Sequence, residues 1–275
     1  MGASPSAFSR FTVVPELGID LLSAHCYGHV FDRHFHDGYA VGLTSYGRQA
    51  FNARGARHVS TPGTVIGFAP GEAHDGEAGD ADGFSYRMLY LPEDLVREVV
   101  AETGGTPPSF PDPLSRDPEL AAAVDAAASA CDGSGDPLSR FAAVGRLIRT
   151  LGHGRVPLRD SREPRAVARA REFMHARLAE SITIDMLARQ AGIARFPLIR
   201  AFTRAHGLPP HAYLLSLRLN EARRLLAAGE TPAAVAAACG FTDQAHLTRE
   251  FRRRLNITPG AYRNACSRGS IGSSL

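Results

Sequence analysis

The sequence predicts an α+β chain of two domains: a small N-terminal β-barrel with flanking helices, followed by an all-α domain that contains two helix-turn-helix units. The N-terminal part has short alternating stretches separated by turn clusters at intervals of roughly 8 to 12 residues, a spacing typical of a barrel or sandwich. From position 165 onward, apolar residues recur at the helical period with short interruptions. The charge divides at the same place, because residues 1–164 contain 14 Arg and 21 Asp or Glu, whereas residues 165–275 contain 17 and 7.

The composition narrows the class of partner. The chain has 275 residues and no lysine, so all 31 of its basic residues are arginines. An acidic half joined to a basic half points to nucleic acid or a membrane surface as the partner of the basic half. No stretch approaches the roughly 18 to 20 apolar residues that span a bilayer, and the N-terminus lacks the pattern of a secretory signal. We therefore expect a cytoplasmic protein with no membrane partner.

Composition shifts and periodicity also predict the layout of the chain. The predicted regions are a first domain over 1–155, with a barrel at about 11–91 and helices at about 92–152, a linker at 156–164, a second domain over 165–265, and a flexible tail at 266–275. The predicted helices of the second domain cover 165–178, 183–190, 195–206, 210–228, 231–238, 243–255 and 259–264.

Two segments of the second domain share one layout, in which a short apolar helix, a turn and a longer arginine-bearing helix follow one another. The turns contain Gly192 and Gly240, and glycine readily adopts the positive φ that ends many helices. In the first of the longer helices, Leu198 and Phe202 are four residues apart and must both face inward. A repeated helix-turn-helix in a basic domain predicts a DNA-binding protein whose second helices lie in the major groove.

The positions that do not face inward are candidates for DNA contact. Arginine suits the guanine edge and glutamine the adenine edge, although exposed arginines can also serve only to keep a helix soluble. The outward positions are Arg195, Phe196, Ile199, Arg200 and Thr203 in the first unit, and Gln244, Ala245, His246, Thr248, Arg249 and Arg252 in the second. The candidates for phosphate contacts, which position a protein without reading sequence, are Arg223, Arg224, Arg253, Arg254 and Arg263. Arg218 suits either a phosphate contact or an intradomain salt bridge.

The helix predicted between the two units sets their separation. Nineteen helical residues at 210–228 would extend roughly 28 Å, close to the ~34 Å between successive major-groove faces of B-DNA. One chain could therefore place both recognition helices in adjacent grooves. We expect an asymmetric binding site that one chain reads.

These residues carry a family resemblance. The run GFTDQAHLTREFRR at 240–253, followed by TPGAYR at 258–263, resembles the hallmark segment of AraC/XylS-type transcriptional regulators, as does LARQAGI at 187–193. The resemblance covers about 165–264 and implies that six of the outward residues are the candidates for base readout: Arg195, Phe196, Arg200, Gln244, His246 and Arg249. Ala194 departs from the serine cap that is usual in the family, which should cost about 1 kcal/mol. Asn256 replaces a usual glycine, and asparagine tolerates the left-handed conformation.

The resemblance also implies a function. We expect a sequence-specific transcriptional regulator, an activator that responds to a small-molecule effector, with double-stranded DNA and RNA polymerase as partners. We also expect a homodimer. An apolar face that includes Leu138, Phe141 and Leu151 lies on a predicted helix at the end of the first domain, and it could contact a second copy of the chain or pack on its own barrel.

The N-terminal segments HFHDGY at 34–39 and PGEAH at 70–74 resemble the two cupin-like motifs of sensor domains in this family. Alternation along a strand places His34 and His36 on one side, toward the barrel lumen with His74. Three readings remain open: a Zn²⁺ or Fe²⁺ site, contacts to an organic effector by His34, His36, Tyr39 and His74, or a structural hydrogen-bonded cluster. Metal-binding cupins usually add a carboxylate that this segment lacks, so we expect effector binding with no metal and no cofactor.

Two enzyme classes are alternatives. The first is a metal-dependent cupin enzyme fused to a DNA-binding domain, and the missing carboxylate disfavours it. The second is a DNA-repair methyl acceptor with a related helical domain, which needs a cysteine in an activating setting. No cysteine of this sequence lies in such a setting. We therefore expect no enzymatic activity.

Overall fold

The computed structural model describes residues 8–132, 136–152, 163–268 and 271–274. Most of the linker predicted at 156–164 lies outside these residues. Within them, no helix combines the length and the apolar character that a membrane span requires.

The N-terminal domain is built on two antiparallel sheets. Its strands, with one from the end of the chain, are β1 (Phe8–Val14), β2 (Ile19–Cys26), β3 (Phe31–His34), β4 (Tyr39–Gly47), β5 (Gln49–Ala53), β6 (Ala56–Ser60), β7 (Val65–Phe68), β8 (His74–Ala78), β9 (Phe84–Leu91), β10 (Leu114–Ser115) and β11 (Ile271–Ser274). The larger sheet has the order β10-β7-β4-β9-β2-β1-β11 and the smaller one β3-β8-β5-β6. No strand pairing joins the two sheets in the described ranges, so the predicted class is confirmed but the barrel is open.

Alternation along the strands sorts side chains between two cores. On β9, Phe84, Tyr86 and Met88 point into the space between the sheets, whereas Leu89 and Leu91 point to the other face of the larger sheet. Residues two apart on a strand share a face, so one strand can serve both cores. The space between the sheets is therefore lined by aromatic and apolar side chains.

Three helices cover the outer face of the larger sheet: α1 (Glu93–Thr103), α2 (Pro118–Asp132) and α3 (Pro137–Gly152). Val144, Leu147 and Ile148 of α3 are buried against this domain. Leu138 and Phe141, in the first turns of the same helix, are 76% and 48% exposed. The apolar face of α3 therefore packs mainly on its own domain, and only its N-terminal end faces solvent.

The second domain is helical, as predicted. Its helices are α4 (Arg165–Ala176), α5 (Ile184–Ala191), α6 (Arg195–His206), α7 (Pro210–Ala227), α8 (Pro232–Ala238), α9 (Gln244–Leu255) and α10 (Pro259–Arg268). The last helix runs beyond the predicted end at 264, because Ala265 is buried in the core. The segment expected to be a flexible tail instead contains the end of α10 and the strand β11, which pairs with β1.

The turns of both helix-turn-helix units depend on left-handed backbone. Gly192 has φ of 71° and Gly240 has φ of 74°. A Cβ atom at Gly240 would lie 2.6 Å from the carbonyl oxygen of Ala179, so a side chain there is excluded sterically as well. Asn256 ends α9 with φ of 54°, as expected for an asparagine in the place of a glycine.

The helix starts differ in their caps. Thr183, Thr231 and Asp243 cap α5, α8 and α9 through side-chain oxygens that accept backbone N–H groups. Ala194 occupies the cap position of α6, where its side chain makes no hydrogen bond. The first recognition helix therefore lacks the side-chain cap that these three helices have.

Candidate nucleic-acid interface and ligand cleft

The first recognition helix, α6, presents a solvent-exposed face. Leu198 and Phe202 are fully buried, and this fixes the rotation of the helix. Arg195, Phe196 and Arg200 consequently lie on the surface, with Phe196 74% exposed. The guanidinium of Arg195 also forms an ion pair with Asp185 at the start of α5, which aligns it along the outer face.

The second recognition helix, α9, is held in the same way by buried Leu247 and Phe251. Gln244 and Arg249 are exposed on the opposite side. His246 is half-buried, because its ring packs edge-on against Phe241 at a centroid distance of 5.4 Å. Five of the six candidates for base readout are thus exposed, and His246 is partly engaged in local packing.

The candidates for phosphate contact separate into two groups. Arg224 and Arg253 are exposed and Arg263 is half-buried. The side chains of Arg223 and Arg254, in contrast, are only 11% and 7% exposed. In this arrangement neither of the buried pair can reach a phosphate, so the sequence-based assignment does not hold for these two residues.

Arg218 has an intradomain role. Its Nε donates to the carbonyl oxygen of Leu178 at 2.8 Å, and its Nη2 donates to that of Glu180 at 2.7 Å. These bonds tie α7 to the connection between α4 and α5. Of the two alternatives left open by the sequence, the structure favours the intradomain contact, although with carbonyl groups and not with a carboxylate.

The two domains meet at a buried ion pair. Arg223 on α7 places Nη2 2.5 Å from Oδ2 of Asp20 on β2, and the Tyr262 hydroxyl donates to the same oxygen at 2.8 Å. Burial disfavours the charged guanidinium, but Asp20, Tyr262 and Asp37 together outweigh that effect and raise the pKa of Arg223. The guanidinium also lies 5.2 Å from the centre of the Tyr90 ring, a favourable cation–π distance.

Further contacts seat the helical domain on the smaller sheet. Phe35, just after β3, packs against Tyr213 of α7 with ring centroids 4.9 Å apart. Arg33 on β3 donates from Nε to the carbonyl oxygen of Gly207 at 2.9 Å. Apolar residues of both domains share one core. The helical domain is therefore docked on the N-terminal domain and not held by the linker alone.

A cleft of about 580 Å³ opens beside the ion pair and is lined by residues of both domains. This volume falls within the range of small-molecule sites. Asn220 Nδ2 and Arg223 Nε are buried donors without a hydrogen-bond partner among the described residues. Carboxylates of Asp20, Asp37 and Glu93 line the same cleft. Its walls are therefore polar and carry both signs of charge.

The three predicted histidines do come together. His34, His36 and His74 are buried, with one ring nitrogen of each within 4.8 Å of the others. Burial lowers the pKa of all three rings, that of His74 to about 4. Tyr39 does not join them, because it packs in the core beneath α1–α3 with Phe110.

The space beside these histidines is small. The cavity between the sheets that they line measures about 30 Å³, which is room for a water molecule or an ion. An organic effector of ordinary size does not fit there in this arrangement. His36, like Tyr90, lines both this cavity and the larger cleft between the domains.

Sequence reasoning missed Asp20 and Tyr262 as interdomain residues. One signal was present, since Asp20 interrupts an otherwise apolar run in a buried strand, between Ile19 and Leu21. A buried carboxylate needs a partner, but the sequence does not identify that partner. Tyr262 lies in a segment that matches the family and gave no separate signal.

Two family comparisons match separate parts of the chain. Residues 16–148 match the AraC-like ligand binding domain, and residues 187–265 match a helix-turn-helix domain. Together the matches cover most of the sequence and coincide with the sheet domain and the helical domain described above.

Relatives match across both domains. An HTH-type transcriptional regulator of Bacillus subtilis, YbfI, described as uncharacterized, is 28% identical over 223 residues, which make up 79% of this chain and 81% of that protein. The arabinose operon regulatory protein of Salmonella typhimurium is 26% identical over 242 residues, 83% of this chain and 84% of that one.

Solved structures share the two-domain fold. An apo form of ToxT from Vibrio cholerae superposes with a TM-score of 0.59 at 12% identity, covering 93% of this chain and 99% of that one. A ToxT structure with a bound unsaturated fatty acid gives a TM-score of 0.51, also at 12% identity, with 96% and 97% covered. The chain therefore belongs to the AraC family of DNA-binding transcriptional regulators, with an N-terminal ligand-binding domain and a C-terminal helix-turn-helix domain.

Proposed function

We propose that this protein activates transcription by reading an asymmetric DNA site with both helix-turn-helix units, under the control of a small molecule bound between its domains. The observation that carries the proposal is the cleft beside Asp20 and Arg223. A ligand there touches both domains and the ion pair that joins them. Any ligand that binds one arrangement of the domains better than another shifts the protein toward that arrangement.

The DNA-reading part of the proposal rests on the exposed faces of α6 and α9. The joining helix α7 has 18 residues and a length of roughly 27 Å, a little short of the ~34 Å between successive groove faces. The recognition helices extend beyond both ends of α7. Modest bending of the DNA can make up the remaining difference in distance. Arg195, Arg200 and Arg249 are the arginines that we assign to base contacts, while Arg224, Arg253 and Arg263 contact phosphates.

The chemistry of the cleft indicates the class of effector. Asn220 and Arg223 line the cleft, and each has a buried donor without a partner. A small movement of either side chain would turn that donor toward a carboxylate, carbonyl or hydroxyl oxygen of a ligand. The neighbouring carboxylates suit hydroxyl or amino groups. We therefore infer a polar effector with several hydrogen-bonding groups, in contrast to the fatty acid bound by ToxT. The sequence predicted effector contacts at the histidine cluster. We propose them instead in this cleft, where His36 remains a contact.

In the docked arrangement, two positively charged side chains cannot contact DNA. Arg223 and Arg254 face the N-terminal domain, and α9 packs against β3. An effector that competes for Arg223 or for Asp20 weakens the docking and frees both arginines. The DNA affinity of the protein then rises with effector concentration.

The remaining roles follow from this mode of action. The protein works on DNA in the cytoplasm, contacts RNA polymerase as an activator, and has no enzymatic activity. The exposed Leu138 and Phe141 at the start of α3 provide the contact of a homodimer. A dimer would bring two DNA-binding domains onto neighbouring sites and increase their joint affinity.

A genome-wide map of binding sites tests this function, because the genes beside the sites identify both the operator and candidate effectors. Polar compounds that the products of those genes bind or convert should raise the melting temperature and change the DNA affinity of the wild-type protein. The variant Asn220→Leu should lose this response, whereas Asp80→Asn, on an exposed turn far from the cleft, should retain it. Enrichment of random DNA, or an undiminished response of Asn220→Leu, would contradict the proposal.

A further inference from the structure

The histidine cluster has an arrangement that hydrogen bonding alone does not satisfy. His34 ends β3 and His74 begins β8, and these residues face each other across the two strands. His36 completes the group, with its Nε2 3.2 Å from Nε2 of His34. Among the residues that the structure describes, this is the one group of three or more potential ligands that could hold a metal ion.

Two of the rings have a fixed tautomer. Nδ1 of His34 lies 2.6 Å from the carbonyl oxygen of Asp32, and Nδ1 of His74 lies 2.9 Å from that of Glu72. A carbonyl oxygen can only accept, so both Nδ1 atoms carry the proton and both Nε2 atoms carry a lone pair. Metal-bound histidines are held in the same way, with the other ring nitrogen donating to a carbonyl or carboxylate.

The third ring cannot satisfy both lone pairs. A neutral His36 has one ring proton, so as a donor from Nε2 it can serve His34 or His74 fully but not both. Its Nδ1 is buried and has no partner. A single cation between the rings would accept all three nitrogen lone pairs at once. Zn–N bonds of 2.0–2.1 Å place tetrahedral ligands about 3.3 Å apart. The Nε2 atoms of His34 and His36 already lie 3.2 Å apart, and the three ligand nitrogens all lie within 4.8 Å of one another.

The surroundings fit one small ion. The adjoining cavity of about 30 Å³ has room for one ligated water. Gln49 lines the same cavity with a buried Oε1 that lacks a partner, and that oxygen can accept from such a water. Arg254 also lines the cavity, but Glu250 neutralises it through a 2.5 Å contact. The local positive charge is therefore compensated.

We propose that His34, His36 and His74 bind one divalent transition-metal ion, Zn²⁺ in particular, with water in the fourth position. This replaces the expectation from the sequence that the chain binds no metal. Three imidazoles satisfy the nitrogen preference of Zn²⁺ without a carboxylate. Phe35 lies between two of the ligands and packs on Tyr213 of the helical domain, so the ion would also fix a segment on which that domain docks.

The full chain, produced without a polyhistidine tag, provides the test. After removal of metal by a chelator, titration with Co²⁺ should give the strong visible absorption of a tetrahedral site with one ion per chain, and Zn²⁺ should displace it. His36→Gln and His74→Gln each remove a ligand and should lower the affinity by more than the roughly 10–100-fold that loss of a partner outside the ligand shell costs. The matched control His211→Gln, at an exposed position on α7, should bind as the wild type does.

Two outcomes would overturn the proposal: wild-type protein without a tetrahedral Co²⁺ spectrum, or undiminished binding by both cluster variants. If those variants fail to fold, X-ray absorption at the Zn edge of the wild-type protein decides the question. A spectrum that shows three imidazole ligands supports the site, and a spectrum that shows sulfur ligands or only oxygen ligands refutes it. These measurements are independent of DNA binding, so failure of the proposed regulatory function would not affect them.

Discussion

Arg223 and Asp20 form a buried ion pair that joins the DNA-binding domain to the ligand-binding domain, with Nη2 and Oδ2 2.5 Å apart. The adjacent arginine, Arg224, is exposed and pairs within its own helix with Glu221. Two consecutive residues of α7 thus have different roles, because Arg223 forms an interdomain contact and Arg224 carries a surface charge. The position of Arg223 against Asp20 links occupation of the cleft to the freedom of the helical domain.

Replacing Asp20 by Asn should loosen the docking of the two domains. Removal of one partner leaves a buried guanidinium without its counter-ion, at a cost of about 3–5 kcal/mol. Hydrogen exchange should accelerate in α7 and α10, and DNA affinity without effector should rise. Glu180→Gln is the control, because the Glu180 carboxylate pairs with Arg177 at an exposed site outside the cleft. Unchanged exchange in Asp20→Asn would show that the pair does not hold the domains together.

A cap introduced at the first recognition helix should stabilise the helical domain. Ala194→Ser supplies the missing acceptor at the start of α6 and should raise the free energy of unfolding by about 1 kcal/mol. The opposite change, Thr183→Ala, removes the existing cap of α5 and should lower it by a similar amount. Denaturant unfolding of the full chain measures both. Equal stability of Ala194→Ser and the wild type would mean that the cap position is already satisfied by other groups.

Base readout and phosphate contact should separate in mutagenesis of α9. Arg249→Ala should lose about 1–3 kcal/mol on the specific site and relax the preference for one base pair, whereas Arg253→Ala should weaken binding to all sequences alike. Affinities measured on the specific duplex and on a scrambled one distinguish the two effects. Equal losses on both duplexes for Arg249→Ala would refute its assignment to a base.

The exposed end of α3 should carry the contact between two copies. A charge introduced by Leu138→Glu or Phe141→Glu should shift the full chain toward the monomer in sedimentation. Val30→Glu replaces an apolar residue that is 56% exposed elsewhere on the surface and serves as the control. A wild-type protein that remains a monomer at all concentrations, with or without effector, would eliminate the homodimer.

The sequence predicted local structure well, because local signals determine it. The predicted helix 195–206 coincides with α6, since the period of its apolar residues and the glycines on both sides mark its ends. The histidine cluster was also predictable, because alternation along a strand placed His34 and His36 on one side. Tyr39 was predicted to lie with the histidines but faces the core beneath α1–α3, because the loop between β3 and β4 interrupts the alternation of side chains.

Tertiary relationships were beyond the reach of the sequence. Arg223 and Arg224 are neighbours of identical type, and only the packing of α7 against the sheets decides which of them is buried. The same limit applies to Arg254, which forms its ion pair inside the domain interface and not on DNA. A cleft between domains depends on how the domains meet, so no spacing of residues along the chain predicted it.

The most direct test of the account measures DNA affinity as the spacing within a mapped site is changed. Two recognition helices fixed on the rigid helix α7 must meet two adjacent grooves, so an insertion of either five or ten base pairs between the contacted segments should lower affinity at least tenfold. The loss should match that of a site in which one segment is scrambled. Affinity that is unchanged by both insertions would contradict the account, because it would show that one helix-turn-helix unit reads the site alone.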